Sequence, residues 1–191
     1  MAGNKLYIYD VSSEIDRKQA ASRFTGQSHV TTLPCKSVAE VHTGLANLVA
    51  QGKSFRRVLF QTHGGPGRIW FDNDKIDAAL LRKDFKGKYN SLFPTRTKMY
   101  FDGCNVADSS DGWDFLTAVG ECLLPSGGGI SMGYTSLGFG MGSTFSGHTI
   151  HAWGELRIID FKIGGIEIDR FPNGSPGILK AAEWFQKLEA F

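Results

Sequence analysis

The stretch RVLFQTHGG, residues 57–65, passes directly from an apolar run into a histidine and two glycines. Its three consecutive apolar residues, 58–60, place apolar side chains on both faces, which is typical of a parallel strand buried inside a sheet. His63 follows where such a strand must end, and Gly64 and Gly65 allow the backbone to turn sharply there. The stretch therefore predicts a buried strand over 57–61 that delivers an imidazole to one edge of a sheet.

A second stretch, KMYFDGCNVAD at residues 98–108, repeats this arrangement with a cysteine in place of the histidine. Its apolar run predicts a strand over 98–102, after which Gly103 introduces a turn and Cys104 follows. The carboxyl ends of parallel strands meet at the edge of the sheet where α/β proteins form their sites. Because consecutive strands are usually neighbours, we expect His63 and Cys104 to lie close together.

The rest of the chain predicts an α/β fold with a mostly parallel central sheet and helices on both faces. Ser37, with Glu40 three residues later, has the capping-box pattern that begins a helix. Residues 12–23 form a polar amphipathic stretch, and two later strands flank a turn at Gly164-Gly165. The other predicted strands lie at 5–9, 29–33 and 129–134, and the other predicted helices at 75–85, 112–124 and 176–188. No linker or internal repeat interrupts the pattern, so residues 1–191 are interpreted as a single domain.

The overall charge indicates a protein that does not bind nucleic acid. The 21 basic and 19 acidic residues give a formal net charge of +2, without the concentrated basic stripe that nucleic-acid binding requires. No apolar run approaches the length of a membrane span, and the N-terminal MAGNKLYIYD is too polar for a signal peptide. A cytoplasmic location without membrane contact is therefore predicted, although a domain of a larger or secreted protein would look the same.

The three cysteines, Cys35, Cys104 and Cys122, lack the spacing of a metal site. We therefore expect neither a metal nor an organic cofactor. Cys35 and Cys122 fall in strand-end and helix contexts and are expected to be structural. His42, on the helix after Ser37, is expected at the surface.

A thiol and an imidazole at one sheet edge predict nucleophilic catalysis. The thiolate is the reactive form of a cysteine, and an imidazole within reach can take the thiol's proton and later pass one to a leaving amine. Since Gly64 has no side chain, its N–H can approach a substrate carbonyl together with the N–H of Cys104. Two such donors form an oxyanion hole.

The segments VLFQTHGG and KMYFDGCNVA resemble those of caspase-like (clan CD) cysteine peptidases, in which one strand ends in His-Gly and a later one in a cysteine. The resemblance covers about residues 5–135. It implies a caspase-like three-layer sandwich and an endopeptidase that acts on peptide or protein substrates. His63 and Cys104 would be its dyad, and the N–H groups of Gly64 and Cys104 its oxyanion hole. The segments THGGPGRIWF and GCNVA are also similar to a domain of unknown function in large bacterial surface proteins.

The resemblance further implies which substrates are cleaved. In metacaspases and paracaspases, an aspartate two residues before the nucleophile helps bind a basic side chain at P1, the residue before the scissile bond. An acidic residue after the first strand assists it. Asp102 and Asp10 occupy the matching positions, so cleavage after Arg or Lys is expected. Two features depart from the family pattern: Asn-Val-Ala follows Cys104, and the glycine-rich region from Leu137 has no counterpart.

Two other functions remain open on the sequence. A caspase-like domain with both dyad residues can serve as a catalytically inactive interaction or signalling module. An α/β-hydrolase-type esterase is less favoured, although GISMG at 129–133 fits the G-x-S-x-G motif with Ser131 as nucleophile. A glycine-rich loop follows this motif where a helix is required, and no histidine follows Asp160 to complete the triad order.

Overall fold

The protein's structure is a computed structural model, and the residues that it describes are 5–12, 29–124, 128–136, 140–143, 149–151, 154–162 and 164–171. The strands are, in chain order, β1 (Lys5–Asp10), β2 (Val30–Cys35), β3 (Arg57–Gln61), β4 (His63–Gly65), β5 (Arg68–Phe71), β6 (Asp74–Asp77), β7 (Thr97–Asp102), β8 (Gly129–Tyr134), β9 (Gly140–Ser143), β10 (Thr149–His151), β11 (Leu156–Lys162) and β12 (Gly165–Phe171). The helices are α1 (Val38–Ala50), α2 (Ala78–Leu80, continued by a π-helical turn over Leu81–Phe85) and α3 (Ser109–Leu123), with a 3₁₀ turn at Asn90–Leu92.

Seven of these strands form one sheet in the order β12-β11-β8-β7-β3-β1-β2. The strands from β2 to β8 in this order pair in parallel. β11 and β12 continue the sheet in antiparallel fashion. The α/β class and the mostly parallel sheet are therefore confirmed.

The three described helices pack on one face of this sheet. They lie in the connections from β2 to β3, β3 to β7 and β7 to β8, which all step in the same direction across the sheet. Right-handed crossovers that step in one direction place their helices on the same face. Helices on both faces stay a prediction, because residues 13–23 and 176–188 lie outside the described residues.

Strand alternation divides the core of the sheet between its two faces. We call the face that carries α1, α2 and α3 the helix face and the other the tyrosine face. The helix-face strands contribute buried side chains that include Leu6, Ile8, Val58, Phe60, Met99, Phe101 and Ile159. The tyrosine face carries Tyr7, Tyr9, Leu59, Tyr100, Ile130, Met132, Tyr134, Leu156 and Ile158, also buried.

Helix α1 begins as the sequence predicts. The Ser37 hydroxyl accepts a hydrogen bond from the Glu40 N–H at 3.2 Å. The Glu40 carboxylate in turn accepts from the Lys36 N–H at 2.8 Å, one residue before the partner of a standard capping box. Helix α1 thus has a firmly fixed start, and Val41, Leu45 and Leu48 face the core.

The predicted helix over 75–85 is wrong in its first three residues. Asp74–Asp77 forms β6, which pairs antiparallel with β5 in a small three-stranded sheet, β4-β5-β6. The helix begins only after Asp77, whose side chain caps it by accepting from the Leu80 N–H at 2.9 Å. Pairing with a neighbouring strand therefore overrides the helical pattern before Asp77.

Two predictions for the later part of the chain have different outcomes. The strands around Gly164-Gly165 are confirmed as the antiparallel pair β11 and β12, with Gly164 at a φ of 94°. The glycine-rich loop predicted over residues 136–147 instead contains β9, which pairs antiparallel with β10 just after it.

Candidate active site

The register of β3 and β7 places the candidate dyad at the same level of the sheet. Gln61 pairs with Asp102, which is the last residue of β7. His63 and Cys104 each stand two residues beyond this pair, at the carboxyl edge of two adjacent strands. The predicted adjacency of the two strands is confirmed, and the backbones that follow them leave the sheet side by side.

The two turns touch at their glycines. A Cβ atom added to Gly64 would lie 2.7 Å from the Cys104 carbonyl oxygen and 2.8 Å from the Gly103 carbonyl carbon. A Cβ atom added to Gly103 would lie 3.2 Å from the Gly64 Cα atom. Real Cβ atoms do not approach backbone atoms as closely as the first two distances, so Gly64 must be glycine for the turns to meet. The contact brings the chain next to His63 against the chain that carries Cys104.

His63 is held by the small sheet rather than by a free loop. It lies in β4, where it pairs directly with Trp70 of β5. The far ring atoms of Trp70 cover Gly65, since a Cβ atom there would lie 2.6 Å from the ring. Arg68 stacks its guanidinium over the same ring at 5.3 Å from the centroid. The histidine itself is exposed on this small sheet.

The turn that carries Cys104 is pinned by backbone hydrogen bonds to its neighbours. The Asn105 N–H donates to the Ser136 carbonyl at 2.9 Å, and the Ala107 N–H donates to the Tyr134 carbonyl at 3.0 Å. Asn105 adopts a φ of 55°, in the left-handed region that Asn tolerates better than most residues. The chain therefore turns at once after Cys104 and follows the end of β8.

Of the three cysteines, Cys104 alone is partly exposed. Cys35 and Cys122 are 0% and 1% exposed. Burial, with added repulsion from Glu40 and Asp10, raises the pKa of Cys35 to about 12. Burial likewise raises the pKa of Cys122. Both groups stay protonated and out of reach, in agreement with the structural role expected for them.

Asp10 and Asp102 leave the sheet on opposite faces. Asp10 is the last residue of β1 and pairs with Cys35 on the helix face. Its two carboxylate oxygens accept from the Ser12 N–H at 2.9 Å and from the Ser12 hydroxyl at 2.6 Å. Asp10 is 2% exposed and stabilises the turn after β1. The expectation that Asp10 assists Asp102 in binding a basic P1 side chain stays a prediction. The hydrogen bonds of Asp10 to Ser12 stabilise the turn after β1.

Asp102 belongs to the tyrosine face, in line with Gln61 and Tyr9. The Tyr7 hydroxyl donates to the side-chain oxygen of Gln61, beside the same edge. Asp102 is half-buried and stands two residues before Cys104. A carboxylate at this position is close in sequence and in space to the candidate nucleophile.

Helix α3 begins shortly after the cysteine turn. Asp108 is its N-cap, and the carboxylate accepts from the Ser109 N–H at 2.8 Å. Asp114 forms an ion pair with Arg82 at 2.7 Å, which lowers the pKa of Asp114. Within the described residues, no group of three or more His, Cys, Asp or Glu side chains could hold a metal ion. The acidic residues of this region thus act as a helix cap and as ion-pair partners.

Sequence reasoning missed Arg157 on β11. Its Nη1 atom donates to the carbonyl oxygens of Ala107, at 2.7 Å, and of Ser109, at 2.9 Å. Its guanidinium also stacks over the Trp113 ring at 4.8 Å from the centroid. No signal in the sequence marks this arginine, because its partners are backbone oxygens about fifty residues earlier.

The esterase alternative does not fit the structure. Ser131 lies in the middle of β8, is fully buried, and donates its hydroxyl to the Leu116 carbonyl at 2.8 Å. A nucleophile of that class must stand exposed on a sharp turn between a strand and a helix. Ser131 is a core residue that joins β8 to α3.

The chain matches no protein-family profile and no curated protein sequence. Among the helices within the described ranges, none combines the length and the apolar character that crossing a membrane requires.

Proposed function

We propose that this protein is a cysteine endopeptidase with a caspase-like fold, in which Cys104 is the nucleophile and His63 handles the proton. The observation that carries the proposal is the contact of the two turns. His63 and Cys104 follow paired strands by the same number of residues, and Gly64 lies against the Gly103–Cys104 backbone at a distance that only glycine permits.

The strand order also supports a caspase-like site at this edge. β2 lies on one side of β1, and the chain then crosses over β1 to form β3 on its other side. Sites of open α/β sheets form in the crevice outside the strand ends at such a switch point. The crevice lies next to His63 and, one strand further, next to Cys104.

In the proposed reaction, the Cys104 thiolate attacks the scissile carbonyl carbon, and the carbonyl oxygen becomes an oxyanion. The N–H groups of Gly64 and Cys104 stabilise that charge. The C–N bond then breaks, and His63 gives its proton to the departing amine. Water then attacks the thioester carbonyl carbon as His63 takes one of its protons, the C–S bond breaks to release the acid product, and His63 returns a proton to the Cys104 sulfur.

The proposed preference for Arg or Lys at P1 rests mainly on Asp102. It is the acidic group two residues from the nucleophile, and a half-buried carboxylate attracts a cation more strongly than an exposed one. We expect Asp102→Asn to lower kcat/KM for Arg-P1 peptides by at least about tenfold, because a charged hydrogen bond is worth about 1.5 to 3 kcal/mol. Peptides with Arg, Lys, Asn or Asp at P1 would be compared, and faster cleavage after Asp would contradict the preference.

Active-site labelling tests the proposal directly. An acyloxymethyl ketone with Arg at P1 should form a thioether with Cys104 and lose its carboxylate, and peptide mapping by mass spectrometry would locate the adduct. Cys35 and Cys122 are internal controls in the same molecule, since both are buried. His63→Ala should slow the labelling of Cys104, and Cys104→Ala should abolish it together with all peptide cleavage.

The inactive-module alternative predicts a different result. In that case the folded protein would cleave no peptide of the P1 set, and Cys104 would react with the ketone no faster than in the His63→Ala variant. That outcome would remove the endopeptidase proposal while leaving the fold unchanged.

A further inference from the structure

A largely buried guanidinium on β11 contacts the turn that carries the candidate nucleophile. The Arg157 side chain is 13% exposed and donates from Nε to the Glu155 carboxylate at 3.3 Å. Its Nη1 atom donates hydrogen bonds to two backbone carbonyls, those of Ala107 and Ser109. The planar guanidinium of an arginine can bridge two carbonyl oxygens and stack on an aromatic ring at the same time. The ammonium group of a lysine cannot make both contacts.

The two carbonyls lie on either side of the junction between the turn and α3. Ala107 closes the turn three residues after Cys104, and Ser109 is the first residue of the helix. Ser109 has a φ of 60°, so the chain adopts a left-handed conformation at this junction. Such a conformation costs about 1 to 3 kcal/mol and persists only where its surroundings hold it. Arg157 provides part of that support.

The turn also lies beside β8. Gly133 of β8 is the cross-strand partner of Arg157. A Cβ atom added to Gly133 would lie 3.6 Å from the Ala107 Cβ atom, an ordinary van der Waals distance, so the turn passes the strand with room for a methyl group between them. Arg157 extends over this strand and holds the turn from the far side. The turn is thus held between β8, by backbone hydrogen bonds, and β11, by one side chain.

We propose that Arg157 is a positioning residue for the Cys104 nucleophile, acting through the Ala107 and Ser109 carbonyls. This inference rests on the proposed function, since it assigns the turn's geometry a role in peptide cleavage. Without the guanidinium, the two carbonyls lose their donor and the turn shifts relative to the His63 side of the site. Misplacement of a reacting group lowers the rate of the chemical step more than it lowers substrate binding.

The test compares Arg157→Gln and Arg157→Lys with Arg96→Gln in the full chain. Arg96 is a matched control, because its guanidinium also pairs with a carboxylate, Asp160 at 2.7 Å, but at the opposite end of the sheet. We expect Arg157→Gln to lower kcat for an Arg-P1 peptide on the order of 100-fold, with KM changed less than about threefold. Arg157→Lys should recover part of kcat, and Arg96→Gln should leave kcat and KM unchanged. The rate of Cys104 alkylation by iodoacetamide should fall in the same order.

The outcomes separate this inference from the proposed function. If wild-type protein cleaves the peptide and Arg157→Gln has the same kcat as Arg96→Gln, the positioning role is overturned and the peptidase stands. If wild-type protein cleaves no peptide of the P1 set, the proposed function fails and the inference fails with it. Where Arg157→Gln does not fold, Arg157→Lys decides, because a folded lysine variant with wild-type kcat would equally overturn the role.

Discussion

At the carboxyl edge of the sheet, β3 and β7 end in glycine turns that carry an exposed histidine and a half-buried cysteine, whereas at the opposite edge β7 begins at a fully buried threonine. The Thr97 hydroxyl lies 3.0 Å from the Phe55 carbonyl oxygen and 2.6 Å from that of Pro94. Arg96 beside it pairs with Asp160. Both side chains thus have partners within the protein.

The difference shows how one strand can serve two purposes. At its start, β7 is anchored by the contacts of Thr97 and Arg96 with carbonyl and carboxylate groups. At its end, Gly64 and Gly103 lack side chains, so the two turns meet, and His63 beside them is exposed. Changes at the two ends should therefore have separable effects, on stability at one and on reactivity at the other.

The largest effect is expected at Gly64. In Gly64→Ala, the new Cβ atom would lie 2.5 Å from a Val106 methyl carbon and 2.7 Å from the Cys104 carbonyl oxygen. The turns must move apart, so we expect peptide turnover to fall on the order of 100-fold. The free energy of unfolding should fall by roughly 1 to 3 kcal/mol, as overpacking usually costs.

Gly165→Ala is the matched control for this variant. Gly165 lies on β12, has no positive φ, and has no atom within 4 Å of the position a Cβ would take. Turnover and stability should both stay at wild-type values there. Wild-type turnover in Gly64→Ala would show that the contact between the turns is not required for the site.

A smaller effect, on stability alone, is expected at the other end of β7. Thr97→Val keeps the shape of the side chain but removes the hydroxyl from a fully buried position. The Phe55 and Pro94 carbonyls share this one hydroxyl proton, and the Pro94 carbonyl keeps the Thr97 N–H as a donor. Loss of the hydroxyl should therefore lower the free energy of unfolding by about 1 to 3 kcal/mol. Chemical denaturation would measure this loss. The alkylation rate of Cys104 in the folded variant should not change, and a parallel loss of both would refute the separation of the two ends.

The smallest effect concerns pH and involves neither end. His42 was expected at the surface, but its Nδ1 atom lies 2.6 Å from the Tyr89 hydroxyl and its ring packs on Phe85 at 4.2 Å. Burial, followed by repulsion from Lys88, lowers the pKa of His42. In the unfolded chain, the His42 imidazole has the ordinary pKa of about 6.5. The unfolded chain therefore takes up this proton at a higher pH than the folded protein does. The stability that His42 contributes is present above that value and is lost as the pH falls through the lowered pKa.

Denaturation at about pH 7.5 and about pH 5 would measure this dependence. His42→Gln, which keeps a polar group beside Tyr89, should show a weaker loss of stability on acidification than the wild-type protein. An equal loss in both would mean that other groups account for the pH dependence.

The strands of the sheet were predictable because each is a short apolar run bounded by glycine or polar residues. β3 and β8 begin and end where the sequence places them. The adjacency of β3 and β7 was predictable because consecutive strands are usually neighbours. The contact between Gly64 and Gly103 was foreseeable only in part: the glycines indicate a close approach, but not which atoms meet.

The remaining features depend on pairing and contacts that the apolar pattern does not show. β1 runs one residue further than predicted, to Asp10, and strand alternation then directs this carboxylate to the helix face. β6 forms because Asp74–Asp77 pairs with β5 across the two-residue turn between them, and this pairing replaces the predicted helix. Arg157 acts on backbone oxygens about fifty residues earlier, which any residue could present.

The meeting of the two glycine turns has a consequence for when the proposed site can form. His63 and Cys104 are separated by forty positions of intervening chain, which include β5, β6 and α2. The turns that carry them meet only when β3 and β7 pair, and such long-range pairings form late and slowly compared with local structure. A partly folded chain would hold the two groups apart, so reactivity should arise only with the completed fold.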